Sequence, residues 1–152
     1  MPAADADKGT ERKDWFMTAY CGGLFFLAGL VKEDIEERKI SINKIIVFGS
    51  AAVFYLMLME NVTYKDVIQR MLPGMTLLLL ALVSKESIGY GDGMSVLVLG
   101  LWTGAFFTLS AVCIGIWSAG IWSLICLFRR RKEPIPFIPF LLFGTEVALI
   151  FV

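Results

Sequence analysis

Apolar residues in this chain come in long blocks, not at alternating positions. Residues 15–31, 45–59, 67–84, 94–128 and 135–152 form five such blocks, parted by short charged stretches. A helix needs about 20 residues to cross the hydrocarbon core of a bilayer. Four of the blocks approach that length, and 94–128 holds roughly twice what one crossing needs. That block is therefore read as two helices with a turn near 110–115, which makes six spans. Five remain if 45–59 is only a half-crossing. The strict alternation of barrel strands is absent. Lipid admits only helices and closed barrels, because backbone polar groups must be satisfied internally. The pattern thus predicts an all-α, polytopic membrane protein with about six transmembrane helices.

Residues 1–14, MPAADADKGTERKD, are polar and mixed in charge. They read as a short flexible tail, with no cleavable signal peptide, ahead of a single membrane domain over 15–152. Within the spans, Leu72–Pro73–Gly74 predicts a kink. Gly100 and Gly104, four apart, predict close helix packing. Composition agrees: 57% of the residues are hydrophobic, too much apolar surface for a soluble chain of 152 residues to bury in one core.

Charge adds a direction. With six spans, one side receives Lys32, Arg38, Lys39, Lys44, Lys85 and the cluster Arg129, Arg130, Arg131, Lys132. The other receives Lys8, Arg12, Lys13 and Lys65, with Arg70 nearby inside the third span. The richer side is expected to be cytoplasmic and both termini outside. Formal net charge is zero, so nothing marks nucleic acid as a partner.

The chain has no histidine, which excludes Ser-His proteolysis, HExxH metalloproteolysis and histidine-ligated zinc or haem. Cys21, Cys113 and Cys126 lie in apolar blocks without metal-ligand spacing and read as small buried hydrophobes. No metal or cofactor is expected. Acid–base chemistry would fall mainly to carboxylates, lysine, tyrosine or cysteine.

Two carboxylates stand out. Asp92 follows Gly89 and Gly91 and precedes a long apolar block. Asp34 lies with Glu33 at the end of the first span. The loop parity puts both at the same membrane edge. Close carboxylates cannot both ionise easily, so they share a proton. The ionised member can then activate water while the protonated one polarises a carbonyl. Gly89, Gly91 and Gly93 would permit close substrate approach and positive φ. The pair supports an aspartyl peptidase. The rival is a non-catalytic assembly or transport subunit in which Asp34 is solvated and Asp92 caps a helix. Glu146, within the last span, can face the bundle interior and is given no role. Lys85 and Glu86 read as solvated loop residues. Asn61–Thr63 is a sequon given no weight. Trp102, Trp117 and Trp122 read as packing or interface anchors.

GYGD at 89–92 resembles the GxGD signature of membrane aspartyl peptidases. DIEERKISIN resembles the first aspartate motif of type IV prepilin peptidases. The LPG motif and the tail KEPIPFIPFLLFG are also similar to that family. Ser41 and Met94 depart from it, standing where many members have proline and lysine. The chain lacks the cysteine-rich region tied to N-methylation, and looks like the small peptidases of tight-adherence (Flp-type) pilus systems. The resemblance implies a bacterial inner-membrane endopeptidase with catalytic Asp34 and Asp92. Its partner would be a prepilin-like substrate, with a short basic leader that often ends in glycine and then a hydrophobic helix. The two carboxylates are expected apart at rest, beside a groove open to the cytoplasm and laterally to lipid.

Overall fold

The computed structural model describes residues 3–36, 40–58, 62–83, 89–129 and 135–151, and among these it holds six α-helices and no strand. They are α1 (Ala3–Glu36), α2 (Ile42–Leu58), α3 (Tyr64–Val83), α4 (Tyr90–Thr103), α5 (Ala105–Phe128) and α6 (Ile138–Ile150). α3 and α5 are long and apolar enough to cross a membrane, while α2 and α6 are shorter apolar helices. The all-α, six-helix reading holds. Arg38, Lys39, Asn61, Lys85, Glu86, Arg130, Arg131 and Lys132 lie outside the described residues.

Two expectations about helix limits fail. The first helix starts at Ala3, so residues 3–14 are helical and not a flexible tail. That stretch has no proline and one glycine, and its Ala, Lys, Glu and Arg favour helix. The turn in the long apolar block lies at Gly104, not at 110–115. Gly104 has φ 92°, the one positive-φ glycine among the described residues. Left-handed backbone costs an L-residue roughly 1–2 kcal/mol, so glycine sets the site of the break. Ser110 stays helical, its hydroxyl donating 3.0 Å back to the Phe106 carbonyl. Gly104 therefore serves as the break, not as half of a packing pair. Gly100 alone keeps the packing role, since a Cβ there would overlap the Arg70 carbonyl oxygen of α3.

Close contacts give the helix directions. Gly74 seats against the Leu97 backbone and Gly93 against Leu78, so α3 and α4 run antiparallel. Helix α3 continues unbroken through Pro73. Gly23 meets Leu99, whereas Asp34 near the other end of α1 lies within electrostatic reach of Asp92, so α1 also opposes α4. Gly115 and Gly144 bring α5 and α6 together in antiparallel fashion. The chain passes up and down, and the ends of α1, α3 and α5 gather with the starts of α2, α4 and α6. The core between them holds Phe26, Leu27, Leu30, Val96, Leu99, Ile138 and Leu141.

The outer face is apolar. Phe54, Leu79, Trp117 and Phe128 are exposed, the surface that lipid and not water would cover. Cys21 and Cys113, expected to be buried, are exposed on this face. An apolar residue gains as much from lipid as from the core, so an apolar block does not show which of its residues face in. Glu146, given the bundle interior as one option, is exposed as well. Trp102 packs inside, stacked on Tyr55 with ring centroids 5.3 Å apart.

Candidate active site

Asp34 stands in the last turn of α1, beside Glu33 and Glu36 and with no basic residue in that turn. Carboxylates at a helix C-terminus oppose its dipole, so this placement works against helix stability. Another helix compensates. The Ile138 backbone N–H, at the start of α6, donates to Asp34 Oδ2 at 2.9 Å, and the Phe137 N–H assists. The residue flanking the α6 N-terminus is Phe137, which has no side-chain acceptor. Asp34 thus satisfies α6 amides that the sequence around α6 leaves open. These amides were missed in the sequence. The available signal was FIPF at 137–140, a helix start with Pro139 and no Ser, Thr, Asp or Asn beside it.

Asp92 is the third residue of α4. The residue flanking this helix is Gly89, in extended conformation, and no side chain caps the helix. The capping role weighed for Asp92 is not what the structure shows. Its carboxylate folds back over Gly89, whose added Cβ would stand 3.2 Å from Asp92 Oδ2. Positive φ, expected in the glycine triplet, is absent at Gly89, Gly91 and Gly93. Gly91 and Gly93 instead admit neighbours: a Cβ at either would come within 2.9 Å of Ile40 or Leu78 respectively.

One cleft of about 480 Å³ joins the two aspartates. It is lined by Asp34 and Asp92 with Ile40, Tyr90, Met94 and Pro136 among its walls. No hydrogen bond joins the two carboxylates among the described residues. Their environments differ. Burial, then the charge of Asp34, pushes the Asp92 carboxyl up to about 7. Burial also raises Asp34, but the Ile138 and Phe137 amides pull it back toward the ionised form. Below about 7 the surroundings therefore favour a proton on Asp92 and the ionised form of Asp34, so the two carboxyls are suited to opposite roles.

The adjoining loop is tied down. Lys44 Nζ lies 2.7 Å from Glu33 Oε1 and donates to the Gly29 carbonyl at 3.0 Å. The Ser41 N–H donates to Glu33 Oε2 at 3.3 Å. The Lys44 contact holds the Glu33 carboxyl below its ordinary range. This clasp spans the α1–α2 connection next to Asp34, and sequence reading had placed Glu33 and Lys44 in it only as charges. No cluster of His, Cys, Asp or Glu able to hold a metal occurs among the described residues.

The model of the type IV leader peptidase family matches residues 21–124, a segment that contains both aspartates. No curated protein and no solved structure matches the chain.

Proposed function

We propose, given that this chain belongs to the type IV leader peptidase family, that it removes the short basic leader of prepilin-like precursors with Asp34 and Asp92 as its catalytic pair. The observation that carries this reading is the single cleft shared by two carboxylates of unequal acidity. Asp34, ionised, takes a proton from water as the oxygen attacks the scissile carbonyl carbon. Asp92, protonated, gives its proton to the carbonyl oxygen, leaving a neutral diol. Asp34 then passes its proton to the amide nitrogen as the C–N bond breaks. Asp92 recovers a proton from the collapsing diol, and the dyad returns to its starting state.

The protein works as a multi-pass component of the bacterial cytoplasmic membrane. The carboxylate end faces the cytoplasm, where a basic leader lies while its helix sits in lipid. The scissile bond of such a substrate falls at the interface, at the level of the Asp34 and Asp92 ends of their helices. The test is co-expression with a prepilin followed by mass determination of its N-terminus. Asp34→Asn and Asp92→Asn should each insert in the membrane and lower cleavage on the order of a thousandfold or more. Full cleavage by either variant overturns the two-aspartate mechanism.

A further inference from the structure

A second cavity, about 620 Å³, is also lined by Asp92. It shares Gly89, Asp92, Ile135 and Phe137 with the carboxylate cleft, so the two meet at the candidate acid. From there it runs between α3 and α5, past Leu77, Leu80, Ile116 and Gly120. Its size falls within the range of about 300–1,000 Å³ usual for ligand sites. Among the described residues, the polar side chains on its wall are Asp92 and Ser123.

We infer that this cavity receives the apolar residues of the substrate immediately after the scissile bond. The inference rests on the peptidase reading and adds to it a specificity site. Three observations favour that occupant. Asp92 lines both the cavity and the carboxylate cleft, so whatever fills the cavity lies beside the candidate acid. It lies between the two helices long and apolar enough to cross a membrane. Its described walls are mainly apolar, with Leu77, Leu80, Ile116, Ile135 and Phe137, which suits an apolar segment better than a basic leader. The carboxylate cleft, with Ile40 and Tyr90 nearer the loops, is left for the leader. Room is also available: nothing lies within 4 Å of where a Gly120 Cβ would stand. A side chain at 120 would therefore start in open space on the wall of the cavity.

The experiment uses the full chain in phosphatidylethanolamine–phosphatidylglycerol vesicles. Its probes are synthetic prepilin-like peptides with a basic leader ending in glycine, followed by an apolar helix. One probe begins that helix with phenylalanine and the other with alanine. Gly120→Leu, which also favours helix, should raise KM for the phenylalanine probe at least tenfold with a smaller change in kcat. Its loss on the alanine probe should be several-fold smaller, and cleavage of that probe shows that the variant is folded. Equal cleavage of both probes by Gly120→Leu and the parent overturns the inference, as does an equal loss on both. If the parent cleaves neither probe, the peptidase reading falls and the inference with it.

Discussion

At neutral pH Asp92 is near the midpoint of its titration, because burial and the neighbouring Asp34 charge push it up to about 7. Its proton is the one proposed to reach the carbonyl oxygen, so cleavage should fall as pH rises through about 7. On the acid side cleavage should fall as Asp34 takes up a proton, giving a bell-shaped profile measurable by initial rates. Stability follows the same group. A carboxyl with a raised folded-state pKa favours the folded state most below its ordinary value. That contribution is lost as pH climbs to about 7. Thermal unfolding in detergent should show this loss in the parent and a smaller one in Asp92→Asn, where only Asp34 remains to contribute. Asp34 has a further duty, since it accepts the Ile138 N–H. Asp34→Asn keeps an acceptor there, whereas Asp34→Ala should lower stability by about 1 kcal/mol more. Equal unfolding temperatures for the two variants would show that the α6 contact contributes nothing. That Asp34 and Asp92 line one cleft was legible in the sequence from the loop parity, which put both at the same end of the bundle. The amides that hold Asp34 were not, because a hydrogen bond across 104 positions leaves no local pattern.

Helix α4 shows what block patterning can and cannot locate. Its apolar run merges with that of α5, so hydropathy gave two helices but placed the boundary between them at 110–115, too late in the chain. A membrane helix has apolar residues on both its inner and its outer face, and periodicity that would mark a turn in a soluble protein is missing. The boundary is conformational, set by Gly104 with its φ of 92°. Gly104→Ala should therefore cost about 1–2 kcal/mol although nothing crowds the added methyl. Gly29 offers the comparison: it is helical and equally uncrowded, so Gly29→Ala should be neutral or stabilising by up to about 1 kcal/mol. Unfolding both variants in parallel separates backbone conformation from packing. The same reasoning explains why the glycines at 91 and 93 were misread. Their adjacency to Asp92 suggested backbone freedom, whereas Ile40 and Leu78 show that they make room for neighbouring side chains.

The molecule as a whole is an up-and-down bundle whose two aspartates lie at one end. The topology is testable with single cysteines on a cysteine-free background. Positions 36 and 90, both exposed, should react with an impermeant thiol reagent from the same side of sealed vesicles. Reaction from opposite sides would exclude a shared site. Six helices and their alternation were legible because block length reports directly on the number of passes. Their unequal lengths were not. The helices that arrive at the carboxylate end have 34, 20 and 24 residues, whereas those that leave it have 17, 14 and 13. At 1.5 Å per residue α4 reaches about 21 Å, short of a hydrocarbon core of about 30 Å. A bilayer that thinned to match helices this short would do so at a cost of fractions of a kcal/mol per Å. Were the thinning at the end where α2, α4 and α6 begin, bulk water would stand level with Asp34 and Asp92, and a hydrolysis at that pair would draw its water from the surface and not through lipid.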